Sequence, residues 1–510
     1  MGSYENNVVT VNDIVFYDEN RLTPLTAAPT SPCPVLGCRN CVIPRPMVPF
    51  HYTPGDIVIS ALFDIHAEGS EVLSCGAIKA VHALNAAAFR YALNQVKSQF
   101  SGILNGVDLG SLVVDLCDNA EAGRLFLNNV LGNRHIVMDM YGNVVDPNLV
   151  ISVVGELDST EAMSMASMLG HFSLPYVESS ATSTALYDET LFPTFSRSIP
   201  SDYHQMLAIV LLLKRMNWDY VQVIYSGDTY GKSGLSLIDS ETSSRSICIA
   251  ATHEMTGSTD PAMIVRNLQK KPNATIVIAI VDGSDYRGLL EAIQAESVTG
   301  QFRLIGTETW GTRESITDGL ATVAEGSITL DIVGPQLAAF ETWLDNLNPA
   351  DESTMMENPF FAEWYQYAYS CYLDAENKEL YTQECVPSQP ISIAPRFERS
   401  SYTPFMITAT YAVARAVDQA IQDVCGMNYN GICWQFRSHP NIKGLIHEHL
   451  QDSNFDLNGY MFKMINGEGQ ANYDIYVYSG GYQKVRVMCS VFVQIHFQSS
   501  CNFAYKQESN

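Results

Sequence analysis

From residue 57 onward, short β-rich apolar runs alternate with longer segments whose apolar residues recur at helical spacing. The runs are IVISALFDI, SLVVDLC, NLVISVVG, YVQVIYS, ATIVIAIV and FRLIG. Each is too short for a helix and nearly continuous in its apolar character, as in strands buried on both faces. Between them, the spacing predicts helices over 78–95, 160–172, 203–216 and 405–422. Strand and helix in alternation imply parallel sheets covered by helices on both sides, so the fold class is α/β. Such sheets bind ligands beyond the carboxyl ends of their strands, where helix N-termini present unpaired N–H groups. Ser159 occupies such a place, after the run Asn148 to Gly155 and before the helix from Thr160.

Local chemistry leaves the roles of these polar residues open. Asp158-Ser159-Thr160-Glu161 is also a helix start at capping-box spacing, and Ser201-Asp202 is another cap before Tyr203. Thr182 in SSATSTA reads equally as a loop threonine, and Tyr230 in GDTYGKSG as a turn tyrosine. No nucleophile elbow, phosphate loop or zinc-helix motif is present, and His447 and His449 point from different helix faces, so no enzyme and no cofactor are expected.

Composition narrows the partners. The 510 residues carry a formal charge of -26, which repels nucleic acid and anionic membranes but not a small zwitterion. The longest apolar runs fall far short of the roughly 20 residues that span a bilayer. Residues 1–52 are polar and proline-rich and read as an irregular leader without a recognisable signal peptide. Cys33, Cys38 and Cys41 lie within it, but they lack a fourth ligand at suitable spacing, so no metal site is expected. Twelve cysteines, several in local pairs, favour an extracellular setting, and Asn273-Ala274-Thr275 is a glycosylation sequon.

The stretches GDIVISALFDIH, SCGAIKAVHALNAAAFRYALN, PYVESSATSTALYDETLFPTFSRSIPSDYHQ, NWDYVQVIYSGDTYGKSG, RGLLEAI, FRLIGTETW and YDIYVYSGG decide between these readings. Together they resemble the extracellular Venus-flytrap module of class C G-protein-coupled receptors, most closely the metabotropic glutamate receptors, from about residue 55 to about 487. The resemblance implies two α/β lobes that close on an amino acid. It places lobe 1 at 53–197 plus 335–450, lobe 2 at 198–334 plus 451–487, and a divergent tail at 488–510. It implies that Ser159, Ser180 and Thr182 hold the ligand α-carboxylate and that Asp202, Tyr230 and Glu308 hold its α-ammonium. Carboxylates and an aromatic face suit an ammonium group.

The side-chain pocket implied by the resemblance comprises His82, Ala86, Asp282, Gly283, Arg313 and Tyr402. His82, Ala86 and Tyr402 stand where metabotropic receptors carry a tyrosine, an arginine and a lysine for a distal carboxylate. Losing two charge-assisted contacts, each worth about 1.5–3 kcal/mol, weakens glutamate by on the order of a hundredfold or more. A free L-α-amino acid with a neutral or basic side chain is therefore expected. The resemblance further implies disulfides Cys75–Cys117, Cys371–Cys385 and Cys425–Cys433, and a Cys248 that the family ties to a following cysteine-rich domain. It implies a homo- or heterodimer through lobe 1, with Met168 and Phe172 at the interface or, alternatively, in the core. G protein is expected to be engaged only through a transmembrane domain outside this sequence, as in a truncated receptor. The alternative is a soluble secreted amino-acid-binding protein.

Overall fold

The computed structural model describes residues 48–485, apart from 71–73, 99–102, 133–135, 140–141, 374–379 and 458, together with four short strands between residues 2 and 24. Those four strands form two antiparallel pairs, Gly2–Glu5 with Val8–Val11 and Tyr17–Asp18 with Arg21–Pro24, inside the leader expected to be irregular. Cys33, Cys38, Cys41, Cys489, Cys501 and the tail from 488 lie outside the described residues.

Two sheets organise the rest. The first runs in the order Asn454–Leu457, Tyr460–Ile465, Glu468–Gly469, Phe195–Arg197, Tyr176–Glu178, Val150–Glu156, Ile57–Phe63, Leu109–Asp115, Phe50–Thr53. Its central strands are parallel and fully buried. Alternation along Ile57–Phe63 shows why the run is apolar at every position but Ser60, whose hydroxyl donates to the Leu112 carbonyl at 3.0 Å. Ile57, Ile59, Ala61 and Phe63 enter the core beneath the helices Ala80–Ser98 and Thr403–Cys425, while Val58 and Leu62 enter the opposite core beneath Ala120–Leu131 and Ser159–His171. A strand with helices on both faces has no wet side for polar residues.

The second sheet runs Cys248–Met255, Tyr220–Ser226, Ile276–Ile280, Arg303–Gly306, Ile328–Val333, Asn472–Tyr478, Tyr482–Val485, the first five parallel and the last two antiparallel. Here too alternate residues of Ile276–Ile280 enter different cores.

The chain crosses between the sheets near residues 197–202, 333–338 and 469–472. Two expected boundaries run differently. The strand Phe50–Thr53 pairs with Leu109–Asp115 inside the first sheet, and residues 454–469, expected in lobe 2, extend the first sheet through antiparallel and edge pairings. Only from Asn472 does the chain join the second sheet. Ile199, Ile332 and Phe405 form a small buried cluster where the crossings meet. Among the described residues, three disulfides are present, Cys75–Cys117, Cys371–Cys385 and Cys425–Cys433, all within the first unit, and Cys248 is an exposed free thiol. Among the described residues, no helix is long and apolar enough to cross a membrane.

Candidate functional site

A cleft of about 690 Å³ opens between the two sheets at the carboxyl ends of their parallel strands. On the first side its wall begins where Val150–Glu156 ends. Asp158 caps the next helix, its Oδ1 accepting from the N–H groups of Thr160 at 2.6 Å and Glu161 at 2.9 Å. That leaves Ser159, in the first turn, buried with its Oγ accepting from the Ser183 N–H at 3.3 Å. Glu161 does not complete the capping box, because its carboxyl bonds Asp64, and burial with that contact pushes it up to about 10. Ser180 Oγ donates to the Leu157 carbonyl at 2.9 Å. Among the described residues no acceptor pairs with the backbone N–H groups of Ser180, Ala181 and Thr182. Ser159, Ser180 and Thr182 all line the cleft, so the structure gathers hydroxyls and free backbone donors beside one helix N-terminus, an arrangement suited to a carboxylate.

Opposite charge chemistry stands beside it, with Asp202 bonded to Thr182 itself and Glu308 on the second sheet. Asp202 opens the helix Asp202–Met216, its N–H donating to the Thr182 carbonyl at 2.8 Å, and is 1% exposed. Glu308, also 1% exposed, follows Arg303–Gly306 of the second sheet. Burial, reinforced by the nearby Glu308 charge, lifts the Asp202 carboxyl well above its usual range, and burial likewise raises Glu308. Among the described residues, Asp202 Oδ2 and Glu308 Oε2 have no hydrogen-bond partner, with Gln205 the polar neighbour of Glu308. The Tyr230 hydroxyl donates to Thr307 Oγ1 at 2.9 Å and lies 3.5 Å from Glu308 Oε1, and the Tyr402 hydroxyl donates to the same Glu308 oxygen at 3.3 Å. Tyr230 and Tyr402 line the cleft, whereas Asp202 and Glu308 lie just beneath its surface. Buried carboxylates with unmet acceptors favour an incoming cation that hydrogen-bonds them.

The remaining pocket residues fall in three groups. His82, Asp282 and Arg313 line the cleft, and His82 Nδ1 contacts Glu156 Oε2 at 2.5 Å. Burial opposes the charge on that imidazole, but Glu156 outweighs it and raises the His82 pKa. Gly283 sits behind the lining, and a Cβ there would come within 2.9 Å of Arg313 Nη1, so the guanidinium packs over bare backbone. Ala86 does not reach the cleft. It faces the hydrophobic core of the first unit, because the helix Ala80–Ser98 turns that position toward Thr403–Cys425 rather than toward the strand ends.

Sequence reasoning missed Lys79, whose Nζ pairs with Asp118, and the acids Asp64, Asp118, Glu156, Asp228 and Glu398, all lining the cleft. A lysine just before a helix start opposes the helix dipole, which was the available signal for Lys79. Asp228 caps Thr229–Ser244 by accepting from the Gly231 N–H at 2.8 Å, so its capping role concealed its place on the wall. His66, Asp115 and Cys117 also lie close together, but the Cys117 sulfur is bound to Cys75, so that trio offers no thiolate to a metal. Asn273 is exposed in a turn, and Met168 and Phe172 are partly buried against the first-unit core.

The two units touch around the cleft. Thr160 Oγ1 donates to Thr229 Oγ1 at 3.0 Å, and Thr184 Oγ1 lies 2.8 Å from Ser233 Oγ. Such contacts make the gap a jaw whose two sides meet.

Residues 84–481 match the family model described as receptor family ligand binding region. The chain is similar to the metabotropic glutamate receptor of Drosophila melanogaster, 30% identical over 406 residues that cover 73% of this chain and 41% of that protein. It is similar also to metabotropic glutamate receptor 6 of Oryctolagus cuniculus, 27% identical over 463 residues, 84% of this chain and 52% of the relative. The chain thus spans about half the length of these relatives, or less.

Proposed function

The chain belongs to the family of receptor ligand-binding regions, as the extracellular Venus-flytrap domain of a class C G-protein-coupled receptor, and we propose that it senses a free L-α-amino acid held between its two lobes. The observation that carries the reading is the meeting of two polar sets at one small cleft. Hydroxyls and unpaired N–H groups at Ser159, Ser180 and Thr182 line it, and the buried carboxyls of Asp202, bonded to Thr182 through its N–H, and Glu308, bonded to the lining Tyr402, lie just behind it. A zwitterion satisfies both ends at once, and no single charge does.

The wall disfavours an acidic side chain. Asp64, Asp118, Glu156, Asp158, Asp228, Asp282 and Glu398 line it, against Lys79, which Asp118 neutralises, and Arg313. Desolvated like charges repel, so a basic or neutral side chain is accommodated and glutamate is not. His82 engages Glu156 instead of presenting a free cation. Ligand binding draws the lobes together because the carboxylate-binding set lies on one and Tyr230 and Glu308 on the other. In the full receptor, closure is passed to a G protein through a membrane domain, and the modules associate as dimers through the first lobe.

Calorimetry with the twenty amino acids tests the reading. Arginine, lysine or a neutral amino acid should bind at least tenfold more tightly than glutamate, and Asp202→Ala should lose affinity for each ligand. Tightest binding of glutamate, or unchanged binding by Asp202→Ala, refutes it.

A further inference from the structure

A second cavity of about 830 Å³ lies between the lobes, on the far side of Arg313 and Glu398, which line both spaces. The first lobe contributes an apolar patch of Leu84, Phe340, Leu344 and Phe397 beside polar groups that include Ser392, Glu398 and Ser400. The second contributes a polar one that includes Thr312, Glu314 and Asp331. Leu84, Phe340 and Leu344 belong to the first-lobe core, so the apolar face is the margin of that core, rigid and shaped in advance.

Charge around the cavity is only partly cancelled. Glu341 and Arg399 pair with each other. Asp331 Oδ2 accepts from Thr312 Oγ1 at 3.3 Å and its Oδ1 from the Ile332 N–H at 2.9 Å, but it has no ion-pair partner among the described residues, and neither have Glu314 and Glu398. Against these three carboxyl groups stands the single guanidinium of Arg313, whose buried Nε has no hydrogen-bond partner. Burial raises the Asp331 carboxyl against the hydrogen bonds from Ser401, Ile332 and Thr312 and the charge of Arg313. Pockets that hold small organic molecules combine an apolar lining with a few convergent polar groups, and this cavity has both.

We propose that this cavity is a second binding site, for an organic amine with an aromatic or branched apolar body, which lays its body on Leu84, Phe340 and Phe397 and directs its ammonium to Asp331. The occupant touches both lobes and is held apart from the amino-acid cleft by Arg313 and Glu398.

The probe is 2-phenylethylamine, which has no carboxylate for Ser159 and Thr182 to hold. Its binding to the purified chain is followed by calorimetry in the wild type, Asp331→Asn, Ser315→Trp and Asp202→Asn. Ser315 lines the cavity at an exposed position, so tryptophan fills the space without entering the core. Binding should weaken at least tenfold in Asp331→Asn and in Ser315→Trp and stay within twofold of wild type in Asp202→Asn. No binding by the wild type, binding that survives both cavity variants, or binding abolished by Asp202→Asn overturns the proposal. The last result places the amine in the amino-acid cleft, and the others leave the amino-acid reading untouched.

Discussion

The Tyr402 hydroxyl, at the start of Thr403–Cys425 in the first lobe, donates to Glu308 Oε1 of the second lobe at 3.3 Å, while Glu308 Oε2 has no hydrogen-bond partner among the described residues. One oxygen of the acid is therefore used to hold the lobes together and the other is left for a ligand. Tyr402→Phe keeps the ring and removes the donor. The expected loss is one hydrogen bond to a buried acid, about 1–2 kcal/mol, seen as roughly fivefold to thirtyfold weaker amino-acid binding. Small-angle scattering of the ligand-free variant should show a larger radius of gyration. Equal affinity and equal compactness in variant and wild type would mean that the contact carries nothing.

Asp202 trades stability for binding. Burial and the Glu308 charge raise its carboxyl, so at neutral pH the group opposes folding relative to a neutral isostere. Asp202→Asn should raise the ligand-free melting temperature by about 1–3 °C while lowering amino-acid affinity at least tenfold. The same shift predicts that wild-type affinity falls on acidification, since a proton on Asp202 competes with the ligand ammonium. Calorimetry across the acid to neutral range checks this, and an affinity independent of pH would sink it.

Glu468 anchors the crossing between the lobes. Burial opposes its charge, but His204, Arg197, the Ser201 N–H at 2.7 Å and the Tyr187 hydroxyl at 2.8 Å outweigh burial and lower its pKa to about 2. A depressed carboxylate contributes stability that is present above its unfolded value near 4.5 and lost as pH falls toward 2. The full contribution is about 3 kcal/mol. Glu468→Gln should therefore be destabilised at pH 7, and its gap from wild type should close as pH falls from about 4.5 to 2. A gap of constant size in denaturant titrations would show that packing, not charge, is responsible.

His66 behaves in the opposite sense. Burial disfavours its charge, yet hydrogen bonds with Asp115 at 2.5 Å and Glu363 at 3.1 Å prevail and raise its pKa to about 9. A raised imidazole stabilises below its unfolded value of 6.5, and the contribution is lost as pH climbs to about 9. With the exposed Glu363 partner discounted, it amounts to on the order of 2 kcal/mol. The melting temperature of wild type relative to His66→Gln should thus shrink between pH 6.5 and 9, beside a disulfide that stays intact. A difference that grows with pH would reverse the assignment.

Periodicity alone was enough for the fold class, because a strand buried on both faces is nearly continuously apolar, as Ile276–Ile280 is throughout and Ile57–Phe63 is but for Ser60, whose hydroxyl is satisfied by the Leu112 carbonyl. Helix starts were legible for a similar reason, since Asp158 meets backbone donors only two and three residues away. The motif pattern across the chain carried the family, and with it the ligand-contacting candidates, beyond what any one residue disclosed. Three things depended on tertiary structure. Ala86 entered the core because helix rotation against Thr403–Cys425, not sequence spacing, decides which face sees the cleft. The strands of 454–469 joined the first sheet because pairing is settled by which edge the returning chain meets. The acidity of the cleft wall arose from Asp64, Asp118, Asp158, Asp228 and Glu398, which are far apart in sequence and unremarkable singly. Local signals act over a few residues through hydrogen bonds and periodic burial, whereas the field in a cleft sums charges that only folding brings together.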